Sequence, residues 1–571
     1  MGKEEELFLI DKPKEDVLNL KTLIAFLFVL SASFVVFSPT IGYEFVNWDD
    51  DIYVYDNPRI KSLSPEDIGW WFENTYYYAY IPVTMLSHAV DYFFWGLSPN
   101  GHHLTNVVVH SVNTGLVFLL GMLIVQKRRL VTGEKGGDQG NDWIAVSGMA
   151  FASLLYSIHP LRVESVAWVS DRKDLLCVLF LLSSVILYVL SLGIRETRKG
   201  RLYGILSFLL FLCALLSKPV AIGLPLVLLG LDWYLLPEME WKGRWKSLLA
   251  GKGWYLAASC ALAIVLLTIS SGGKRAYAVE QLDGVEVLLF PLYSFAFYLW
   301  KTLVPLDLSP IYPAVEMWLL VAGSLFTCLI TVGALLMARR GRKEYILCWL
   351  AYGVFLLPTV AGLSSGMQPA ADRFAYLSTV GVFIGLGGVL IAFAQRVSST
   401  GRWIAAAASL ILLAGLGSGT LAYSSHWQSS STLWKYVYER FPVRRDYVDA
   451  YVNLGAVYAD RMELAEAEQV LRVATQVDPG NADAFYNLAH VLYLRGQWED
   501  AVEFFGKAME CDSTYARAFF NYAIVNSQLG RDSLAIPAMR HAARLGFTDA
   551  TNALRESGIP LEEPVGTSAP E

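Results

Sequence analysis

Long apolar runs constrain the fold of this 571-residue chain more than any other feature of its sequence. Runs of about 17 to 22 residues that are almost free of charge recur from Lys21 to about Tyr423. A helix of that length crosses the hydrocarbon core of a bilayer. We therefore predict an all-α fold with a polytopic helical membrane domain of about 11 spans. The predicted spans are roughly 21–41, 104–125, 144–160, 174–193, 202–217, 219–236, 254–271, 317–338, 345–363, 374–395 and 403–424.

The positive charges of the short loops predict the orientation of these spans. Five short loops carry 18 Lys or Arg in 58 residues, whereas the longer segments at the opposite ends of the spans carry only 10. Under the positive-inside rule the short loops and an N-terminal tail, residues 1–20, lie in the cytoplasm. This orientation requires the apolar run 286–304 to lie along or re-enter the outer surface. The five short loops are 126–143, 194–201, 237–253, 338–344 and 395–402.

The same orientation predicts the location of the remaining segments. The membrane domain, residues 21–425, lies in the inner (plasma) membrane, and residues 42–103 form its external first loop. Within that loop the stretch 80–95 is too short to span, so we expect it to lie along the lipid–water interface. Everything after residue 425 is extracytoplasmic, that is, periplasmic. The net charge of −7 predicts no nucleic-acid partner, and the six scattered cysteines suggest no disulfide framework or zinc site.

A second kind of pattern begins near Asp446, where a period of 34 residues sets in. Small residues recur where two helices of a tetratricopeptide (TPR) repeat cross, and large ones recur where the helices interlock. We predict a TPR α-solenoid over 426–547, made of a degenerate half repeat and three repeats of 34, followed by a flexible tail, 548–571. Such arrays hold an extended peptide or a partner helix; a solubilising cap or a dimerisation arm is the simpler alternative. The positions in register are Tyr451, Leu454, Gly455, Tyr458, Ala467, Leu471, Ala474 and Pro479, then Phe485, Leu488, Ala489, Leu492, Ala501, Phe505, Ala508 and Ser513, then Phe519, Tyr522, Ala523, Asn526, Ala535, Met539, Ala542 and Phe547.

Charged residues collect at the predicted outer ends of the spans. Three consecutive acids, Asp49, Asp50 and Asp51, follow the first span, where self-repulsion calls for a metal, a basic partner or a catalytic task. In an extended loop Asp49 and Asp51 would face one way and Asp50 the other. The other outer charged groups are Arg162, Glu164, Asp171, Arg172, Lys173, Asp174, Lys218, Asp372 and Arg373, with His102 and His103 before the second span.

These groups suit chemistry on a lipid-linked phosphate. Arg binds phosphate through its bidentate fork, and Lys binds it as a point charge. A carboxylate opposite them can take the proton of a hydroxyl nucleophile, while the cations stabilise the charge that develops on the leaving phosphate. The pattern therefore predicts transfer of a group from a lipid phosphate carrier to a hydroxyl. An ion pathway or a lipid transporter would also need charged groups, but these would run through the midplane of the membrane.

Five separated motifs, in this order and followed by TPRs, resemble the bacterial relatives of the transmembrane and tetratricopeptide repeat (TMTC) family. That resemblance covers essentially the whole chain and implies a glycosyltransferase of the GT-C superfamily, akin to protein O-mannosyltransferases. It implies a polyprenyl-phosphate-linked sugar as donor and a protein or glycan hydroxyl as acceptor. The motifs are FVNWDDDIYVYDNP (45–58), SPNGHHLTNVVVHSVN (98–113), HPLRVESVAWVSDRKDLL (159–176), SKPVAIGLPLVLLGLDW (217–233) and QPAADRFAYLSTVG (368–381).

The resemblance and the charge pattern together assign roles to nine residues. Asp49 or Asp50 is the expected catalytic base of an inverting displacement. Arg172, Lys173, Lys218 and Arg373 are the candidates for the donor phosphate. Glu164, Arg162 and His102 are the candidates for positioning the acceptor or the sugar.

Each of these residues also has a structural alternative. A carboxylate of the first loop can cap a turn, Glu164 can pair with Arg162, and Arg373 can pair with Asp372. The run 171–174 can be a self-neutralising helix start, and Lys218 can snorkel. No metal ligand is assigned, although a divalent cation could sit beside the aspartates. A non-catalytic membrane scaffold that recruits periplasmic proteins through its TPRs is the alternative function.

Overall fold

The computed structural model describes residues 19–77, 79–132, 139–271, 284–360 and 370–561. Regular structure in these ranges is helical, apart from one isolated bridge between Tyr76 and Ala79. The chain forms two compact units, Met1–Gln428 and Ser429–Glu571, so the break falls three residues after the predicted boundary. The predicted all-α fold class is confirmed.

The first unit contains the apolar helices. Its α-helices are α1 (Leu20–Phe37), α2 (Pro65–Glu73), α3 (Pro82–Trp95), α4 (Pro99–Thr132), α5 (Gln139–Ser157), α6 (Val163–Ala167), α7 (Arg172–Ser191), α8 (Arg198–Ser217), α9 (Leu224–Leu235), α10 (Glu238–Ala250), α11 (Gly253–Ser271), α12 (Glu286–Leu303), α13 (Met317–Arg339), α14 (Lys343–Val360), α15 (Ala375–Ser378), α16 (Val380–Arg396) and α17 (Ser399–Ser424).

By length and composition alone, seven helical segments of the described residues are long and apolar enough to cross a membrane. The number rises to nine if two bent pairs, Asp142–Ser157 with Pro160–Ala167 and Asp372–Ser378 with Val380–Arg396, each count as one span. Two shorter apolar helices, Pro219–Leu235 and Gly253–Thr268, occupy the other two predicted spans. The protein is thus a multi-pass membrane protein, and the count of 11 stays a prediction.

The spans differ in how much of their surface the protein itself covers. In α4 and in the segment that contains α7, 67% of the apolar window is buried inside the unit, whereas the figure for α17 is 11%. Helix α7 packs against both α4 and α8. Helices α4 and α7 therefore form the centre of the unit, and α17 presents most of its apolar side chains to the lipid.

Short turns interrupt the chain at the ends of several spans. Helices α5 and α8 end just before Pro160 and Pro219, because a proline disfavours helical backbone in the residue that precedes it. His159 accepts the N–H of Leu161 and so caps the new turn, while Lys218 is extended, with φ −154°. The turns are Ser38–Gly42, Asp51–Tyr55, Pro58–Lys61, Pro160–Arg162, Val169–Asp171, Pro219–Gly223, Asp372–Phe374 and Ser425–Trp427.

The first loop folds as a small layer. Its apolar side chains, among them Tyr53, Trp71 and Met85, pack into one cluster that includes Val169 of the turn before α7. Helix α3 covers most of the stretch predicted to lie along the interface, and it leaves Phe93 and Phe94 69% and 68% exposed. Aromatic side chains exposed in this way are typical of a helix at headgroup depth.

The second unit consists of antiparallel helix pairs with the predicted period. Gly455 explains one repeated small residue: a Cβ there would lie 2.4 Å from Leu471 Cγ, so the crossing of α19 and α20 excludes a side chain. Thirty-four residues later the same position is Ala489, which is fully buried. The α-helices are α18 (Ser430–Arg440), α19 (Val448–Asp460), α20 (Leu464–Val477), α21 (Ala482–Leu494), α22 (Trp498–Cys511), α23 (Ala516–Gln528), α24 (Asp532–Arg544) and α25 (Thr548–Glu556).

The C-terminal segment 548–571 differs in part from the flexible tail that the sequence predicts. Helix α25 packs against α24, with Ala550 fully buried and Leu554 1% exposed. Two apolar residues at helical spacing are enough to cover the end of the array. Residues 562–571 lie outside the described residues.

Candidate active site

The three acids of the first loop do not lie on an extended strand. Asp49 has a φ of 66°, in the left-handed region that Asp and Asn tolerate better than other side chains, and Asp51 begins a tight turn, Asp51–Tyr55. The expected alternation, with Asp49 and Asp51 on one side and Asp50 on the other, is therefore replaced by a turn that gives each acid its own surroundings. Burial raises the pKa of Asp51, and Asp49 and Asp56 add to that effect.

Asp50 is buried and fully used within the protein. Its Oδ2 accepts the N–H of Val46 at 3.0 Å, and its Oδ1 accepts the N–H of Ser170 at 2.9 Å and the Ser170 hydroxyl at 2.5 Å. Burial raises the pKa of Asp50 to about 7, although the hydrogen bonds from Ser170 and Val46 lower it. This carboxyl group ties the first loop to the turn before α7.

Asp49, in contrast, is half-buried and has an unused carboxylate. Its backbone oxygen accepts the N–H of Tyr53 at 2.8 Å, but its side chain accepts no hydrogen bond from another described residue. The carboxylate interacts electrostatically with the Lys173 ammonium. An acid in a sparsely populated backbone conformation with free oxygens is a candidate for a functional group.

Lys173 lies in an aromatic corner of the same site. Its Nζ is 5.4 Å from the ring centroid of Tyr53 and 5.2 Å from that of Trp168. It makes no hydrogen bond or ion pair with any residue that the structure describes, although Asp49 and Asp171 attract it and Lys218 repels it. The ammonium is therefore available to an anion that enters from outside.

Glu164 and Arg373 form the strongest ion pair of the site. Arg373 Nη1 donates to Glu164 Oε1, and the backbone N–H of Arg373 donates to Glu164 Oε2 at 2.9 Å. The Arg373 guanidinium also lies 5.2 Å from the Trp168 ring. This pairing replaces both structural alternatives from the sequence, since Glu164 does not pair with Arg162 and Arg373 does not pair with Asp372.

The partners of Asp372 are tyrosines. Its two oxygens accept the hydroxyls of Tyr312 at 2.6 Å and of Tyr423 at 3.2 Å. Tyr312 comes from the segment after α12, and Tyr423 comes from the C-terminal end of α17. Neither tyrosine lies within the five sequence motifs, so the sequence does not indicate this contact.

Lys218 and Asp171 complete the arrangement. Lys218 Nζ lies 2.6 Å and 2.7 Å from the two oxygens of Asp174. Asp171 is fully buried, and neither of its oxygens has a hydrogen-bond partner among the described residues. Because an unsatisfied buried carboxylate is costly, its neighbours Lys173 and Arg373 must offset its charge.

Seven of the charged residues described above, given at the end of this paragraph, form a group that we call the outer charge cluster. It contains four acids and three bases, each linked to another by an ion pair or an electrostatic interaction. The sequence assigned a role to five members and missed the roles of Asp171 and Asp174. Helical spacing could have indicated these two, because Asp171 and Asp174 are three residues apart at the start of α7 and so lie on one face, whereas Arg172 lies on another. The members are Asp49, Glu164, Asp171, Lys173, Asp174, Lys218 and Arg373.

Arg172 and His102 belong to a different, fully buried group that we call the inner frame: Asp91, His102, Asn106 and Arg172. Arg172 Nη1 forms an ion pair with Asp91 Oδ2 at 2.6 Å, and the Arg172 side chain donates to Asn106 Oδ1 at 2.9 Å and to the His102 carbonyl at 2.8 Å. His102 Nε2 lies 3.1 Å from the Gly96 carbonyl. His102 Nδ1 has no hydrogen-bond partner among the described residues, but it is buried 3.6 Å from Asp91 Oδ2, so the structure does not support the expected phosphate-binding role of Arg172 or the positioning role of His102.

Arg162 is also consumed inside the protein. Its guanidinium donates to the carbonyls of Tyr156 and Ala375, at 2.9 Å and 2.7 Å, and to the Thr379 hydroxyl at 2.6 Å. These bonds hold the two bent pairs of spans together. Each nitrogen of the Arg162 guanidinium already donates a hydrogen bond within the protein, so the structure does not support the expected role of Arg162 in acceptor or sugar positioning.

Stacked indoles line the site. Trp48, next to Asp49, stacks on Trp168 with ring centroids 5.2 Å apart, and the Trp427 ring lies 6.4 Å from Trp48 at an angle of 7°. The Trp168 Nε1–H donates to the Trp48 carbonyl at 2.7 Å. The stack thereby fixes the backbone from which Asp49 extends.

The divalent metal considered beside the aspartates has no ready ligand set. In the described ranges no group of three or more His, Cys, Asp or Glu side chains is arranged to hold a metal ion. The carboxylates of the outer charge cluster are instead interleaved with ammonium and guanidinium groups.

Comparison with known proteins places the chain among two kinds of relatives. A tetratricopeptide repeat family model matches residues 459–519. The protein O-mannosyl-transferase Tmtc1 of Drosophila melanogaster is 33% identical over 159 residues, which are 27% of this chain and 16% of that protein. The human protein O-mannosyl-transferase TMTC4 is 28% identical over 212 residues, 34% of this chain and 27% of that protein. The resemblance to the TMTC family is thus confirmed, although the chain spans little more than a quarter of these relatives at most.

One solved structure aligns over most of the chain. The crystal structure of ArnT from Cupriavidus metallidurans bound to undecaprenyl phosphate covers 88% of this chain and 80% of its own, with 16% identity and a TM-score of 0.37. A likeness at that score does not establish a common fold.

Proposed function

We propose that this protein is a membrane glycosyltransferase of GT-C type. It transfers a sugar, with a mannose-like hexose favoured, from polyprenyl phosphate to a hydroxyl of a protein or glycan. The observation that carries the proposal is that, among the described residues, the Asp49 carboxylate accepts no hydrogen bond and the neighbouring Lys173 ammonium forms no ion pair, both at one end of the spans. The names of the similar proteins, protein O-mannosyl-transferases, support the same class of reaction.

In this proposal Asp49 is the general base. It takes the proton of the acceptor hydroxyl as the acceptor oxygen bonds to the anomeric carbon, and the bond from that carbon to the phosphate oxygen breaks. The electron pair of the broken bond stays on the polyprenyl phosphate, and the anomeric configuration inverts. Asp49 suits this step better than Asp50, because three hydrogen bonds already occupy the Asp50 oxygens.

The three cations of the outer charge cluster have different proposed roles. Lys173 is the first candidate for the donor phosphate, since no carboxylate is paired with it. Lys218 and Arg373 have carboxylate partners, so they contribute positive potential and fix the geometry of Asp174 and Glu164. Asp171 orients Lys173, and the Trp48 and Trp168 rings form an apolar wall against which a hexose can stack.

Three residues that the sequence offered for substrate binding serve as positioning residues in this proposal. Arg162, Arg172 and His102 hold the helices and loops that carry the outer charge cluster. Asp50 does the same for the first loop. The reaction would occur on the extracytoplasmic face of the inner membrane, which is where the positive-inside rule puts these loops.

The TPR array is proposed to hold the acceptor or a partner protein. Its helix pairs form the repeated scaffold that presents a concave surface to peptides. The membrane unit would then bind the bilayer and the lipid-linked sugar, and the array would bind the protein.

The test uses the purified full-length chain with radiolabelled mannosyl polyprenyl phosphate and a serine-rich peptide acceptor. We expect label to appear on the peptide with inverted anomeric configuration, and an Asp49→Asn/Asp50→Asn protein to transfer none while it still inserts into the membrane and keeps its TPR array folded. If the double variant transferred as fast as wild type, the acidic mechanism would be wrong. If wild type consumed no lipid-linked hexose but still captured periplasmic proteins, the non-catalytic scaffold would be the better reading.

A further inference from the structure

A cavity lies inside the membrane unit, away from the outer charge cluster. Its volume is about 470 Å³, within the range of small-ligand sites. Side chains of α4, α7, α9, α14 and α16 line it. Helix α4 contacts α9 and α16, and α14 contacts the same two helices, so these four close a ring around the space.

Small residues on α16 leave this space open. Gly381, Gly385 and Gly388 all line the cavity. A Cβ on Gly385 would lie 2.6 Å from Cys348 Sγ, so α16 and α14 approach each other closely there. A Cβ on Gly388 would meet no atom within 4 Å, which makes this position the open part of the wall.

The two ends of the cavity differ in chemistry. One end is apolar and includes Phe355, Leu377 and Val380, while the charged lining residues, three arginines and one glutamate, all lie at the other. Arg342 pairs with Glu344 at 3.1 Å, which leaves a net positive charge on this rim. The charged residues are Arg128, Arg129, Arg342 and Glu344.

Arg129 carries the clearest signal on that rim. Its side chain is half-buried, and its guanidinium has no ion pair or hydrogen bond to a residue within the described ranges. Arg128 donates to the Tyr234 carbonyl at 2.9 Å and so stands beside it as a second positive charge. A guanidinium in this state suits a phosphate with its bidentate fork.

The length of the cavity fits a lipid chain. Along α16 the lining runs from Val380 to Gln395, about 22 Å at 1.5 Å per residue and so a large part of the hydrocarbon thickness. Val389, on the wall, is 47% exposed, so the cavity is not sealed from the membrane. Basic pockets between membrane helices commonly hold anionic lipid head groups.

A polar layer separates this space from the outer charge cluster. Arg162 donates to Ala375 and Thr379 just above the apolar end, and the Tyr156 hydroxyl donates to the Tyr376 carbonyl at 3.0 Å. The occupant therefore enters from the basic end. That end is opposite to the face on which the lipid-linked sugar would bind.

We propose that this cavity binds one anionic phospholipid, with its phosphate at Arg128 and Arg129 and one acyl chain reaching toward Leu377. The basic rim selects the head group, and the glycine-lined wall of α16 accommodates the chain. The site is separate from the proposed transfer reaction and supports the helices that carry Arg373.

The experiment measures lipid retention on the full-length chain by native mass spectrometry, after delipidation and addition of phosphatidylglycerol, phosphatidylcholine or undecaprenyl phosphate. We expect wild type to retain one phosphatidylglycerol, Gly388→Phe to bind it at least about tenfold more weakly, and Gly333→Phe, on the lipid-facing side of α13, to match wild type. Arg129→Gln should reduce the preference for phosphatidylglycerol over phosphatidylcholine about fivefold.

Three outcomes would overturn the proposal. They are wild type that retains no phospholipid, equal retention by wild type and Gly388→Phe, and a Gly388-dependent preference for undecaprenyl phosphate, which would make the cavity part of the donor site. Gly388→Leu replaces Gly388→Phe if the larger side chain prevents folding. Binding is read without turnover, so the result is independent of the transfer reaction.

Discussion

The outer charge cluster and the inner frame share one motif, residues 159–176, yet they use their charges differently. Arg172 of the inner frame and Lys173 of the outer charge cluster are neighbours in sequence at the start of α7. Arg172 pairs with Asp91 and donates to Asn106 and the His102 carbonyl, whereas Lys173 lies against aromatic rings and makes no ion pair or hydrogen bond with a described residue. A charged side chain whose hydrogen bonds are made within the protein stabilises the fold, whereas one without such bonds remains available to a substrate.

The acids of the first loop repeat this contrast at a shorter distance. Asp50 accepts three hydrogen bonds, and Asp49, one residue away, accepts none from a described residue through its side chain. A charge without partners inside a protein is expensive, so it persists where function requires it. Four substitutions test the contrast.

The largest effect is expected from Asp49→Asn. Asn tolerates the left-handed backbone of this position, so folding should be unchanged while removal of the general base lowers kcat/KM about a thousandfold. The assay is transfer of radiolabelled hexose from polyprenyl phosphate, and Asp56→Asn, an exposed acid of the same loop, is the matched control. Activity of Asp49→Asn equal to that of Asp56→Asn would remove Asp49 from the mechanism.

The next largest effect is a loss of stability in Arg172→Gln. This substitution leaves Asp91 buried without its cation, which should cost about 3 to 5 kcal/mol. Thermal unfolding in detergent measures the loss, and addition of Asp91→Asn should restore part of it. An unchanged Tm with lost transfer would instead move Arg172 into the outer charge cluster.

Lys173→Gln should show the opposite pattern. Asp171 keeps the positive charge of Arg373 nearby when Lys173 is lost, so the Tm should fall much less than in Arg172→Gln while kcat/KM falls about a hundredfold. Lys173→Arg keeps the charge and should recover part of the activity. A drop in Tm like that of Arg172→Gln, with kcat preserved, would mean that Lys173 is a framework residue.

The smallest effect is a pH dependence of stability that belongs to Asp50. Because burial raises its pKa to about 7 from 3.8, Asp50 contributes stability that is fully present below pH 4 and is lost as the pH rises through about 7. Between pH 5 and 8 the unfolding free energy of wild type should therefore fall by about 2 kcal/mol relative to Asp50→Asn, which does not titrate there. Parallel pH profiles of the two proteins would show that this carboxyl group does not titrate in that range.

The helices of both units could be predicted from the sequence because they follow from one-dimensional patterns. Each predicted span falls mainly on helical segments, with turn residues at 158–159, 192–193, 236 and 379, while residues 361–363 lie outside the described residues. The repeat at Gly455, Ala489 and Ala523 likewise shows a steric requirement directly in the sequence. Helix ends at Pro160 and Pro219 follow from the properties of proline.

The assignment of charges could be predicted only in part. Apolar runs place Glu164, Lys218 and Arg373 at one face, but sequence does not show which acid meets which base. Arg162 and Arg172 looked like substrate ligands because their partners, mostly backbone carbonyls of distant segments, carry no sequence signal. Asp171 received no role from the sequence, because only the three-dimensional structure shows that its buried oxygens lack a hydrogen-bond partner among the described residues.

The stack of Trp48, Trp168 and Trp427 also has a consequence for biosynthesis. Trp48 is synthesised early, whereas Trp427 is synthesised only when the whole membrane unit has been translated. The hydrogen bond from the Glu44 N–H to the Gln428 carbonyl likewise cannot form before that point. A nascent chain that has inserted only its first spans therefore holds Asp49 on an unfinished support. The support of Asp49 is complete only after the last span has been synthesised, so premature release of the chain should yield a protein that is inserted in the membrane but inactive.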